Sequence, residues 1–216
     1  MKQYTALIVA AGSGTRMNLG YNKVYAKLSD GRTILEHTMS VFQNDPDCGQ
    51  IIVVTDSDDY MANIKRIWPG RITLARGGST RQESVMNGLA AVIFDHVMIH
   101  DGARPFLKKE CIDSLKEALC QEKAALLMVP CKDTIKEVRD GYVVKTYERS
   151  SLMAAQTPQA FETELIRDCM QKAIKSGFTG TDDASLVENF SDARVKAVTG
   201  DYGNYKITTP EDLEKK

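Results

Sequence analysis

Strand-like apolar runs alternate along this chain with segments whose apolar residues recur three and four positions apart. Tyr4–Ala10, Ile51–Thr55, Ile72–Ala75, Val97–His100 and Ala124–Val129 read as buried strands. Ile34–Phe42, Tyr60–Ile67, Arg81–Ile93 and Cys111–Gln121 read as the helices between them. Such a βαβα rhythm builds a mostly parallel, twisted sheet with helices on both faces, so the expected fold class is α/β and Rossmann-like. Sheets of this kind bind ligands at the carboxyl ends of their strands. The residues just after each strand are therefore the place to look for chemistry.

The rhythm breaks after Val129. Thr134–Val138 and Val143–Tyr147 look like two strands joined by Arg139-Asp140-Gly141, and Asp-Gly is a hairpin signal. One side of this hairpin has little apolar material, so it is expected to project as an arm. A helical pattern resumes at Glu162–Lys175, followed by a short helix at Asp182–Asn189 and a strand at Val195–Val198. Thr209-Pro210-Glu211-Asp212 has the form of a helix start, with Thr as cap and Pro in first position. The 216 residues are read as one domain, 1–216, with 131–158 as a protruding β-arm.

Composition narrows the function. The formal net charge is −1, which gives no sign of the broad basic surface that nucleic-acid binding needs, while local basic clusters still allow an anionic small substrate. The five cysteines are odd in number and none is paired at C-x-x-C spacing. This speaks against a disulfide framework or a zinc ribbon, and for a reducing cytoplasm. The apolar run from Ala6 to Ala11 is too short to span a membrane.

Three segments after strands stand out. The first is Ala10-Ala11-Gly12-Ser13-Gly14-Thr15-Arg16-Met17, whose glycines let backbone N–H groups approach phosphate oxygens. It lacks the Gly-Lys-Ser/Thr of a Walker A loop, and Met17 stands where a dinucleotide fingerprint needs a third Gly. Arg16 and Lys23 add two permanent cations suited to a triphosphate, though a solvated surface is the usual place for such side chains. The second is Gly77-Gly78-Ser79-Thr80-Arg81-Gln82-Glu83-Ser84, where Ser79 and Gln82 form a capping-box pattern. A cap does not explain the two glycines, which suggest close backbone approach to a flat or anionic group. The third is His100-Asp101-Gly102-Ala103-Arg104-Pro105. Asp101 is placed to hold Mg²⁺ or a ribose hydroxyl, whereas Asp-Gly alone is an ordinary turn. His100 reads as a packed strand-end histidine. Later come Asp133-Thr134, Arg149, Gln156-Thr157-Pro158-Gln159 and Lys206, of which the third reads as a shaped loop fixed by its proline.

Taken in order, these motifs resemble the 2-C-methyl-D-erythritol 4-phosphate cytidylyltransferase family of the non-mevalonate isoprenoid pathway, over Ala10 to Leu213. Asn22 stands where many members have Pro, and Ser79 where an acidic residue is common. The resemblance implies transfer of a cytidylyl group from CTP to the phosphate of a small sugar-alcohol phosphate, with pyrophosphate leaving. It implies that Arg16 and Lys23 stabilise the transition state and that Ala10, Ala11, Gly12, Ser13, Gly14, Gly78, Ser79, Ser84 and Gly102 hold the nucleotide. It further implies Mg²⁺ at Asp101, and an acceptor held by Asp101, Arg104, Thr134, Arg149, Thr157 and Lys206, with Arg149 and Lys206 aligning its phosphate. A homodimer is implied in which the arm of one subunit reaches the site of the other.

The alditol-phosphate branch, exemplified by ribitol 5-phosphate cytidylyltransferases of cell-wall teichoic acid synthesis, shares several of these motifs. The stretch from Glu148 to Gln156 looks more like the methylerythritol branch. Two more distant alternatives are an NAD-dependent oxidoreductase, against which Met17 speaks, and a non-catalytic nucleotide-binding module. The latter has no need of Lys23, Arg149 and Lys206 together.

Overall fold

The computed structural model describes residues 3–12, 20–56, 58 and 72–213. Their central feature is a seven-stranded sheet ordered β3-β2-β1-β4-β8-β5-β9. The strands are β1 (Tyr4–Val9), β2 (Cys48–Thr55), β3 (Ile72–Arg76), β4 (His96–Asp101), β5 (Ala124–Pro130), β8 (Met153–Glu162) and β9 (Val195–Thr199). All neighbours run parallel except β8, which is antiparallel to both β4 and β5. A separate hairpin pairs β6 (Lys136–Arg139) with β7 (Tyr142–Thr146). The expected helix at Tyr60–Ile67 lies outside the described residues.

β1 is buried along its length because helices cover both faces of the sheet. Side chains alternate across a strand. Ala6 and Ile8 pack in one apolar cluster with Phe42 of α1 (Ile34–Gln43) and Ile112 and Leu115 of α3 (Lys109–Ala118). Leu7 packs on the other face with Val85 and Leu89 of α2 (Arg81–Leu89) and Ile166 of α4 (Thr163–Ser176). A fully buried side chain of Phe size contributes about 2–3 kcal/mol, so Phe42 and Phe161, both 0% exposed, are principal anchors of the two clusters.

Local chemistry sets the helix ends. Thr33 and Glu36 form a reciprocal capping box at the start of α1. The Arg167 guanidinium donates to Leu89 O and Val92 O (2.7 and 2.8 Å), satisfying carbonyls left open at the end of α2. α2 therefore stops at Leu89, short of the expected Ile93. Gly177, at φ +70°, closes α4 in the left-handed conformation that favours glycine. α5 (Ala184–Phe190) follows, and the expected C-terminal helix is a 3₁₀ turn at Pro210–Leu213.

β8 differs most from the sequence reading, which treated Gln156–Gln159 as a loop. It lies between β4 and β5 and carries three buried polar side chains. Each is paired: Gln156 Nε2 with Asp201 O (2.9 Å), Gln159 Nε2 with Asp182 Oδ2 (2.8 Å), and Thr157 Oγ1 with the backbone N–H of Asp101 (3.0 Å). Burial without periodic hydrophobicity is tolerated because the hydrogen bonds are made. Pro158 has no N–H to donate, and it sits where the β5–β8 ladder skips from Ala155 to Gln159. Residues 153–158, expected within the arm, are thus part of the central sheet.

Candidate active site

A cleft of about 410 Å³ opens at the carboxyl ends of β1 and β4, where α/β sheets bind ligands. Nine expected residues line it: Ala10, Ala11, Gly12, Lys23, Gly78, Ser79, Ser84, Asp101 and Lys206. Arg104 adjoins it through Asp101 (Nε to Oδ2, 3.7 Å), and Gly102 and Thr157 do so through backbone and hydroxyl bonds. Ser13, Gly14 and Arg16 lie outside the described residues. Thr134 and Arg149 are elsewhere. They line a separate hollow at the base of the hairpin with Tyr147 and Met153, and the two hollows share no lining residue.

Asp101 is the electrostatic centre of the cleft. Arg81 Nε stands 3.2 Å from Oδ1 and Lys206 Nζ 2.9 Å from Oδ2. Burial alone would raise this carboxyl's pKa. Arg81, Lys206 and Arg104 overcome that effect and hold it below the usual carboxylate range. Arg81 is itself anchored by two bonds to the buried Asp183 carboxylate (3.1 and 2.8 Å). Burial opposes the Arg81 charge, but Asp183 and Asp101 together raise its pKa. The result is a cluster of three cations and two carboxylates, leaving net positive charge where a polyanion could sit.

His100 is fully buried behind this cluster. Nε2 faces Arg104 O (3.1 Å), so it carries the proton; Nδ1 then accepts from the Thr157 hydroxyl (3.0 Å). The Thr157 oxygen accepts in turn from Asp101 N–H. Burial pushes the imidazole down to about 4, so it is neutral at physiological pH and serves to fix the backbone around Asp101. Gly102 completes this corner. A Cβ there would stand 2.9 Å from Val9 O, and its N–H donates to that same oxygen at 2.9 Å.

Lys23 begins a 3₁₀ turn, Lys23–Tyr25, capped by Asn22. The Asn22 amide also donates to Ala10 O, tying the Lys23 turn to the end of β1. The residue that replaces proline in the motif therefore has a positional role of its own. On the opposite wall the helix cap is Thr80, not Ser79: Thr80 Oγ1 accepts from Glu83 N–H (3.1 Å). Ser79 instead donates through N–H and hydroxyl to Glu83 (2.7 and 2.6 Å), which places a carboxylate beside it. Ser84 Oγ accepts from Gly78 N–H (3.0 Å), so it shapes the glycine segment. The protein itself accounts for the bare glycines. A Cβ on Gly77 would meet Ala11 Cβ at 2.4 Å, and one on Gly78 would meet the Glu83 side chain at 2.4 Å.

At the arm, Arg149 opens a 3₁₀ turn, Arg149–Ser151, and donates to Lys132 O (3.0 Å). The hairpin beyond it exposes Val138, Tyr142, Val143 and Val144.

Sequence reasoning did not single out Arg81 as a site residue, nor Asp183 or Asn204. Arg81 lies within the glycine-led segment Gly77–Ser84. No local signal marked Asp183, since its role depends on a partner 102 positions away. Among the described residues no group of three His, Cys, Asp or Glu side chains is placed to hold a metal ion. Asp101 is a single carboxylate, which suits Mg²⁺ only where substrate oxygens and water complete the shell.

A family model described as 2-C-methyl-D-erythritol 4-phosphate cytidylyltransferase matches residues 4–215. A protein of that name from Bacillus licheniformis is 44% identical, over 97% of this chain and 92% of its own. One from Halalkalibacterium halodurans is 45% identical, over 98% and 94%. The crystal structure of a 4-diphosphocytidyl-2C-methyl-D-erythritol synthase from Anaerococcus prevotii superposes with a TM-score of 0.87 at 37% identity, covering 99% of this chain and 93% of that one.

Proposed function

This chain belongs to the 2-C-methyl-D-erythritol 4-phosphate cytidylyltransferase family, and from that premise we propose how its cleft performs the reaction. It is a CTP-dependent nucleotidyltransferase that joins CTP and 2-C-methyl-D-erythritol 4-phosphate, releasing pyrophosphate. The observation that carries the mechanism is the Asp101-centred group of Arg81, Arg104 and Lys206 at the strand ends.

The nucleophile is a phosphate monoester oxygen. Its second pKa is near ~6, so it is an anion at neutral pH and needs no general base. The cleft is consistent with this: no histidine is among its lining residues, and both nitrogens of His100 are engaged. The difficulty is bringing one anion onto another. Fixed cations that need no reorganisation lower that barrier most effectively. Arg16 and Lys23 are assigned to the α-phosphate and the leaving pyrophosphate. The backbone of Ala10 to Gly14, Gly78 and Ser79, with Ser84 and Gly102, is assigned to the nucleotide. Arg104, Thr157 and Lys206 are assigned to the acceptor.

Asp101 is the protein ligand assigned to Mg²⁺, with phosphate oxygens and water completing the shell. Bound there, the metal would neutralise phosphate charge. Lys206 and Arg81 already occupy both carboxylate oxygens, so a metal would compete with them.

Thr134 and Arg149 line a hollow that shares no lining residue with the cleft of their own chain. The exposed apolar hairpin favours a second subunit, and the assignment is a homodimer in which each arm supplies Thr134 and Arg149 to its partner's acceptor site. The free state of all five cysteines supports a cytoplasmic setting. No helix among the described residues is long and apolar enough to cross a membrane.

Pyrophosphate release from CTP is the direct test, with methylerythritol phosphate and ribitol 5-phosphate compared side by side, with and without chelator. The expected result is Mg²⁺-dependent turnover with methylerythritol phosphate and little with the other. The ribitol alternative finds no support among the relatives described above. Preferred turnover of ribitol phosphate would reverse the choice of acceptor.

A further inference from the structure

Lys206 has no helix or strand to hold it. It lies on the loop between β9 and the final 3₁₀ turn. Holding a long side chain in one place on such a segment costs conformational entropy, so the loop must be fixed by something else.

Asn204 does this. It is 0% exposed and does not line the cleft. Its Nδ2 donates to Thr157 O (2.8 Å), and its backbone carbonyl accepts from Arg104 Nη1 (2.7 Å). Its N–H closes a turn on Asp201 O (2.9 Å), and Ile207 N–H then donates to Ala103 O (2.9 Å). Thr157, Arg104 and Lys206 come from three separate segments. Asn204 bonds directly to the first two and stands two residues before the third. Its Oδ1 has no hydrogen-bond partner among the described residues. A buried acceptor left bare lowers stability, and the Nδ2 bonds to Thr157 O and Gln156 Oε1 (2.8 and 3.4 Å) offset that cost by fixing the loop onto β8.

We infer that Asn204 is a positioning residue that locks the Lys206 loop onto Thr157 and Arg104, so that the three groups meet the phosphate-bearing acceptor together. The inference rests on the reading above that these groups hold the acceptor. It does not extend to CTP, whose assigned contacts follow β1 and β3, with Ser84 in α2 and Gly102 after β4, and among the described residues none of them bonds to the Asn204 side chain.

The test is steady-state kinetics of Asn204→Ala and Asn204→Ser beside Lys206→Ala, varying each substrate in turn. Asn204→Ala is expected to raise the acceptor KM roughly tenfold, the scale of one lost hydrogen bond, and to leave the CTP KM within about twofold. Asn204→Ser keeps a shorter donor and should fall between Asn204→Ala and the parent. If the alanine variant does not fold, as judged by thermal unfolding and CTP titration, the serine variant decides. An equal rise in both KM values marks a merely structural residue and overturns the inference. So does an unchanged acceptor KM in the Asn204 variants while Lys206→Ala raises it. If Lys206→Ala itself leaves the acceptor KM unchanged, the assignment of the acceptor site fails first.

Discussion

Lys206 Nζ lies 2.9 Å from Asp101 Oδ2, joining a loop near the end of the chain to the tip of β4. Before substrate binds, the carboxylate is thus the counterion of a lysine assigned to the acceptor. An incoming phosphate can take over Lys206 only if Asp101 finds another partner. Asp101→Asn should lower kcat by about 10² or more, the scale for one preorganised charge. It should also lower folding stability by on the order of 1–3 kcal/mol, because Arg81, Arg104 and Lys206 lose their shared anion. Kinetics and urea denaturation measure the two effects separately. Retention of most of kcat would remove Asp101 from the active site.

Arg16→Ala and Lys23→Ala should each reduce kcat by roughly 10²–10³ if these cations stabilise charge at the α-phosphate and pyrophosphate. Arginine and lysine side chains rarely hold a core together, so the thermal midpoint should move little. A near-normal kcat in either variant would exclude that residue from catalysis.

Folding stability should fall as pH drops from about 6.5 toward 4. His100 is buried and neutral, with its pKa pushed down by burial from the ordinary 6.5 to about 4. Between those values the unfolded chain binds a proton that the native state refuses. The contribution is complete above the unfolded pKa and is lost as pH falls through the window, amounting to about 3 kcal/mol. Urea titrations at several pH values with chelator present should show that slope, and His100→Gln should flatten it. An unchanged slope in the variant would assign the pH dependence to other groups.

The parallel half of the sheet was legible because its strands are apolar on both faces and its helices keep a 3.6-residue period. β8 was not, because Gln156, Thr157 and Gln159 are buried through hydrogen bonds and Pro158 interrupts the ladder, so no periodicity marks the strand. The cleft was legible where a motif follows a strand, as at Ala10–Gly12, Gly78 and Asp101. It was illegible where function depends on a distant partner. Asp183 acquires meaning only through Arg81, and Asn204 only through Thr157 and Arg104.

The separation of Lys23 from Arg149 supplies the most discriminating test. Lys23 lines the strand-end cleft, whereas Arg149 lines the hollow at the arm base, and the two share no lining residue. If each active site combines Lys23 of one subunit with Arg149 of the other, Lys23→Ala and Arg149→Ala homodimers should both be poor enzymes. Refolded together, they form some mixed dimers. In a mixed dimer one site lacks both side chains and the other has both. Activity should therefore return on mixing, up to one working site per mixed dimer. Two different affinity tags allow mixed dimers to be isolated and their activity compared with that of each parent. Mixed dimers as inactive as the parents would mean that both residues act within one chain. The arm would then have to fold back over its own cleft, and the exposed apolar side chains of Val138, Tyr142, Val143 and Val144 would need a different explanation.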